Sequence, residues 1–226
     1  MSRARDDAKR VIADDPELTR LMSRVAAGLD DDPGHDLEHC LRVAGWALRC
    51  APHEHPRDVV AAALLHDVVN VPKDDPRRSQ ASALSAGVAR EWLPSHGFDD
   101  EAIDRIADAV EDHSFSRGAT PRSALGDGLQ DADRLEALGV LGLMRCISTG
   151  VRMGAAYFHA GDPFGRERER DDRAYSVDHF FTKLLRLPAS FRTEVGRAEA
   201  NRRAAYLEAT LDQLADELGQ PRDGAG

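Results

Sequence analysis

Val59-Val60-Ala61-Ala62-Ala63-Leu64-Leu65-His66-Asp67 is a run of seven apolar residues closed by an imidazole and a carboxylate. A run this uniformly apolar, rich in Ala and Leu, reads as a buried helix. The expected helix spans about Arg57 to Val69 and is ended by Pro72. Two strongly hydrated side chains at its inner end are costly unless a charged partner meets them. A metal ion is the simplest such partner. Two distant segments supply matching donors: His39, within Gly34-His35-Asp36-Leu37-Glu38-His39-Cys40-Leu41-Arg42-Val43, and Asp133, within Gln130-Asp131-Ala132-Asp133-Arg134-Leu135. The set His39, His66, Asp67 and Asp133 therefore reads as a metal site for phosphate-ester or phosphoanhydride hydrolysis.

Outward from that run, helical periodicity dominates. Leu18, Leu21, Met22, Val25 and Leu29 repeat at helical spacing, and Asp30 to Gly34 stop them. A helix from about Asp36 to Cys50 follows, with Asp36 as its cap. Further helices are expected over Arg78 to Trp92, Asp99 to about Ser114, and from Asp127 or Asp131 to near Gly150. Residues 151–173 read as an irregular, charged and solvated insertion. Helices over Ser176 to Leu187 and about Pro188 to Leu218 close the chain, with a frayed tail from Gly219. No strand alternation, repeat or long linker appears. The expectation is an all-α fold, one domain over residues 1–226 with its core at about 15–215.

Composition bounds the partners. The 226 residues are 42% apolar and only 5% aromatic, with a net charge of −10 and a pI near 5.4. That balance argues against general binding to nucleic acid or a membrane surface. An acidic protein that binds phosphates does so locally, through a metal and a few aimed cations. Three scattered cysteines, Cys40, Cys50 and Cys146, make no disulfide framework, and the N-terminal residues lack an apolar signal core. A cytoplasmic protein is expected.

Two imidazoles and two carboxylates suit a six-coordinate divalent ion with open positions for water and substrate. Mn²⁺ is the first expectation, with Mg²⁺, Fe²⁺, Ni²⁺ or Co²⁺ as alternatives. Structural zinc is disfavoured because no thiolate cluster exists. His35, four residues before His39, offers a different pairing. His53 and His55 sit in a Pro-flanked break and read as surface residues, and Asp131 reads as a helix cap.

Taken together, His39 with Leu41-Arg42-Val43, then Leu64-Leu65-His66-Asp67, then Ala132-Asp133-Arg134-Leu135 resemble the HD-domain phosphohydrolase superfamily. Glu111-Asp112-His113-Ser114-Phe115-Ser116, Leu129 to Gly139 and Asp178-His179-Phe180-Phe181-Thr182-Lys183-Leu184 are similar to a narrower bacterial subgroup. The resemblance implies an all-α fold and metal ligands at His39, His66, Asp67 and Asp133. It also implies a metal-dependent nucleotide pyrophosphohydrolase that releases pyrophosphate from nucleoside or deoxynucleoside triphosphates. Val68-Val69-Asn70 depart from the acidic residues that follow the His-Asp pair in the guanosine-tetraphosphate branch, and the Gly-Tyr-Pro signature of the cyclic-di-GMP branch is absent.

On this reading Asp67 orients or deprotonates water. His113 protonates the leaving group or contacts phosphate. Arg134, Lys183, Lys73 and Arg77 are candidate phosphate contacts, with Arg78 beside them on a basic rim. One metal ion is expected, along with a small-molecule nucleotide substrate and a possible homodimer through the apolar faces of the last two helices. Two alternatives stand beside it: a phosphomonoesterase of nucleoside monophosphates, and a non-enzymatic metal-dependent nucleotide sensor.

Overall fold

The structure, a computed structural model, describes residues 4–29, 36–69, 71, 77–114 and 117–222. The described residues are helices joined by turns and loops, and no strand occurs among them. The backbone gathers into two compact units. The first runs to Asp133 and includes Arg192–Gly196; the second holds Arg134–Phe191 and the chain from Arg197 onward.

The first unit is built on α1 (Ala4–Ala13), α2 (Pro16–Gly28), α3 (Leu37–Cys50), α4 (Pro56–Leu65), α5 (Ala81–Trp92), α6 (Asp100–Asp112) and most of α7 (Ala124–Leu135). Helix α4 is its centre. Pro56 opens it with a preset φ, and every side chain from Val59 to Leu65 is fully buried. A helix apolar on all sides is stable only when wrapped on all sides, and α1, α2, α3, α5 and α6 pack around it. Asp36 caps α3 by accepting from His39 N, and Asp99 caps α6 by accepting from Ala102 N. Helix α1 was not singled out by the sequence, yet Ala8 and Ile12 are buried in the same core.

Several boundaries differ from expectation, each for a local reason. Helix α4 stops at Leu65 rather than near Val69. The His66 ring donates from Nδ1 to Ala63 O at 2.7 Å, so it satisfies a last-turn carbonyl that a further helical turn would have used. Helix α6 stops at Asp112 by the same device, with His113 Nδ1 donating to Val110 O at 2.7 Å. Asp133 does not begin a helix: α7 starts at Ala124, where Ser123 Oγ accepts from Gly126 N, and Asp133 falls in its last turn.

The second unit starts where α7 ends. The expected continuous helix to Gly150 is broken at Glu136-Ala137-Leu138 and restarts as α8 (Gly139–Arg152). Gly139 has φ +70, a left-handed conformation that permits the sharp restart. Helix α9 covers only Ser176–Thr182, a 3₁₀ stretch around Pro188 follows, and α10 (Glu194–Leu218) begins six residues later than expected. The charged insertion is an ordered loop rather than only a solvated one. Its backbone bridges Ala156 to Tyr175, and Arg168 makes a bidentate pair with the fully buried Asp178 at 2.6 and 2.7 Å.

Candidate metal centre

Three helix ends of the first unit bring the chemistry together. His39 lies one turn into α3. His66 and Asp67 follow the last turn of α4, and His113 follows the last turn of α6. Asp133 comes from the end of α7. His39, His66 and His113 are buried. Asp67 and Asp133 are about a quarter exposed, which leaves the cluster open on one side.

Two overlapping donor groups result: His39, His66 and Asp133, and His66, Asp67 and His113, each with its ligand atoms within 4.8 Å of one another. His39 Nε2 stands 3.2 Å from His66 Nε2 and 3.6 Å from Asp133 Oδ1. His66 Nε2 is 3.6 Å from Asp67 Oδ2 and 3.8 Å from Asp133 Oδ1, and His113 Nε2 is 3.5 Å from Asp67 Oδ1. The imidazole rings also pack, with centroids 5.1 Å apart for His39–His66 and 5.0 Å for His66–His113.

The donor set fits a divalent cation on two grounds. Backbone carbonyls only accept, so Nδ1 of both His66 and His113 carries the proton. In the neutral ring this fixes the tautomer and turns an Nε2 lone pair into the cluster, as a metal-ligating histidine requires. The spacing also agrees: neighbouring ligands at about 2.1 Å from an ion lie about 3 Å apart. The cluster's 3.2–3.8 Å separations are close to that spacing and mostly too long for good hydrogen bonds within the protein.

Electrostatics agree. Burial pushes the His66 pKa down to about 4, against the opposing pull of Asp67, so the ring is neutral at pH 7. His113 behaves differently. Burial opposes its charged form, but the Asp67 and Asp133 carboxylates outweigh burial and hold its pKa above the ordinary value. Burial works against the Asp133 carboxylate too, and the His66 and His39 rings more than offset it and keep its pKa low. Burial and the nearby Asp67 and Asp36 charges push the neighbouring thiol of Cys40 up to about 12, so it is a packing residue and not a thiolate ligand.

Sequence reasoning missed the groups that hold this cluster. Gln130, buried one turn before Asp133, donates from Nε2 to Asp112 O and to Ala119 O. It thereby ties the His113 end of α6 to the helix that carries Asp133. Arg122 grips the buried Asp112 carboxylate at 2.7 and 3.1 Å. Asp131 is a cap, as expected, but of a remote segment: it accepts from Arg192 N, Thr193 N and Thr193 Oγ1 at the entry to α10. The one sequence signal was compositional, a Gln and an Asp at positions that the helical period turns inward.

Of the four expected phosphate contacts, Arg77, Arg134 and Lys183 lie among the described residues. Lys73 and His35 lie outside the described residues, and Arg77 is exposed. Arg134 and Lys183 belong to the second unit. The Arg134 guanidinium donates there to Ser190 O and Oγ, and Lys183 follows α9, part-buried near Asp172.

The HD domain family matches residues 36–138, a span that contains all five cluster residues. YpgQ of Bacillus subtilis is 32% identical over 195 residues, covering 84% of this chain and 87% of its own length. This chain belongs to the HD-domain hydrolases. A crystal structure of YpgQ in complex with ADP superposes with a TM-score of 0.71 at 28% identity, covering 89% of this chain and 94% of that one. An HD-superfamily hydrolase of Bacillus thuringiensis superposes with a TM-score of 0.68 at 25% identity, covering 90% and 97%. As an HD hydrolase the protein is a metal-dependent phosphohydrolase. No described helix is long and apolar enough to cross a membrane.

Proposed function

We propose that this HD hydrolase is a nucleotide pyrophosphohydrolase that converts nucleoside or deoxynucleoside triphosphates to the monophosphate and pyrophosphate. The observation that carries the nucleotide part is ADP in the complex of YpgQ, a relative that spans most of this chain.

His39, His66, Asp67 and Asp133 would hold one divalent ion, Mn²⁺ in the first instance, because a mixed nitrogen and oxygen set favours such ions over structural zinc. Bound there, the ion supplies Lewis acidity: it lowers the pKa of water and offsets charge developing on a phosphoryl oxygen. The side chains do the rest. Asp67 aligns the attacking water and accepts its proton. The water oxygen bonds to the α-phosphorus as the bond from that phosphorus to the bridging oxygen breaks, and pyrophosphate leaves. His113 holds a proton at Nε2, favoured by the Asp67 and Asp133 carboxylates, and passes it to the departing oxygen. Arg134, Lys183, Arg77 and Lys73 remain candidate phosphate contacts on their chemistry.

The test is a metal-by-substrate screen of the full chain, following pyrophosphate and orthophosphate separately. Pyrophosphate release from triphosphates, dependent on added metal, is expected. Orthophosphate from nucleoside monophosphates would favour the phosphomonoesterase instead. Nucleotide binding without turnover under any metal would favour the sensor.

A further inference from the structure

Helix α8 is amphipathic the wrong way round for a lone helix. Its buried side is small. Gly142 is buried, and a Cβ there would lie 2.2 Å from Ala137 O. At Gly150 a Cβ would lie 2.2 Å from Ser176 Oγ, and Cys146 Sγ reaches Ser176 O at 3.5 Å, so α9 is drawn tight against this side. Leu143 and Ile147 are part-buried, but four other bulky apolar residues point to solvent: Val140 is 49% exposed, Leu141 37%, Met144 62% and Val151 54%. At 100° per residue Val140, Met144 and Val151 form one stripe, about 16 Å long, with Leu141 at its edge. The chain then turns back, with Ala155 N donating to Gly150 O, and Met153 and Tyr157, both more than half exposed, follow beside the last turn.

A surface helix normally puts its apolar stripe inward. Inversion of that rule, with glycines on the buried side, marks the outward stripe as a face that is itself covered.

We propose that this face is the contact between two copies of the chain, an isologous interface along α8. Three observations select a second copy. Six side chains, each about half exposed, amount to on the order of 600 Å² per copy, hence on the order of 1,200 Å² in a pair, the lower edge of a stable interface. The composition is that of an interface core: Met, Tyr and aliphatic residues with Arg145 and Arg152 at the margin and no Lys, Asp or Glu anywhere in the helix. Finally, a chain of net charge −10 repels its own copy over most of its surface, and this carboxylate-free helix is a place where two copies can meet without adding to that repulsion. A two-fold axis between Arg145 and Cys146 sets Val140 of one copy opposite Val151 of the partner subunit. This face is on α8, not on the last two helices, where the sequence suggested a dimer surface.

Sedimentation equilibrium on the full chain from about 1 to 100 µM tests it. The expected result is a monomer–dimer equilibrium, tightened by added salt as the repulsion is screened. Met144→Glu and Val151→Glu should each raise its dissociation constant about 100-fold or more, because each buries an unpaired charge in the contact. Met144→Cys, beside that axis, adds no charge and should form a disulfide-linked dimer under mild oxidation, whereas Ser95→Cys, exposed on the other unit, should not. A monomer at every concentration overturns the proposal. So does a dimer indifferent to both glutamates, or a Met144→Cys protein that cross-links no faster than Ser95→Cys.

Discussion

Two charged interiors of this protein, one in each unit, solve the same problem in opposite ways. In the second unit the buried Asp178 is satisfied by the protein itself: Arg168 pairs with both oxygens, Asp171 N donates to one of them, and Tyr175 lies beneath the guanidinium. In the first unit His39, His66, His113, Asp67 and Asp133 crowd together at mutual separations mostly too long for hydrogen bonds. A buried charge that finds its partner within the chain is architecture. A buried cluster whose lone pairs converge on a common point is a site prepared for a cation from outside.

That contrast predicts different responses to charge removal. The largest effect is on turnover: Asp67→Ala should lower kcat by about 1,000-fold or more, since it removes both a metal donor and the group that aligns water. Undiminished turnover would break the comparison. The next concerns stability. Asp178→Asn leaves Arg168 underpaired in a buried setting and should cost about 3 kcal/mol in urea unfolding, with the same loss whether Mn²⁺ is present or absent. Asp133→Asn should behave in the reverse manner: the melting temperature should no longer rise on adding Mn²⁺, because binding to the native state alone is what raises it.

Gln130 sharpens the same point at smaller scale. Gln130→Ala leaves Asp112 O and Ala119 O without this donor and should destabilise the protein by about 1–2 kcal/mol, again independently of metal. The smallest effect is at the surface. Arg5 donates to Glu38 and, with Lys9 and Arg42, holds its carboxyl below the ordinary carboxylate value against the effect of burial. A carboxylate whose folded pKa is depressed contributes stability above its unfolded value, and the contribution fades as pH falls below about 4.5 through the folded value. Glu38→Gln should flatten the acid limb of a pH–melting-temperature profile slightly and leave it unchanged near neutrality.

Sequence and structure agree where a single physical preference decides the outcome. The all-apolar Val59–Leu65 run had to be buried, and Asp36 and Asp99 are caps because their positions before helical periods leave little else for them to do. Agreement fails where a side chain competes with the helix ladder. His66 and His113 each end a helix early by taking a last-turn carbonyl, which no periodicity reveals. Asp133 lies in the last turn of α7 rather than the first, because Ser123 starts that helix eight residues before Asp131, the residue suggested as a cap. The donors His39, His66, Asp67 and Asp133 were legible as a set from residue type and family resemblance. The convergence of His113 on Asp67 and the bracing by Gln130, Arg122 and Asp131 required coordinates, since nothing in a linear spacing of 10–62 residues fixes those distances.

The most direct measurement is the metal content of the full chain. Purified protein is loaded with Mn²⁺, dialysed, and assayed beside His66→Gln, Asp133→Asn and Asp178→Asn. One ion per chain in the wild type and in Asp178→Asn, with loss from the other two, is the predicted result. A wild type that retains no ion, or His66→Gln and Asp133→Asn proteins that retain as much as the wild type, would contradict it.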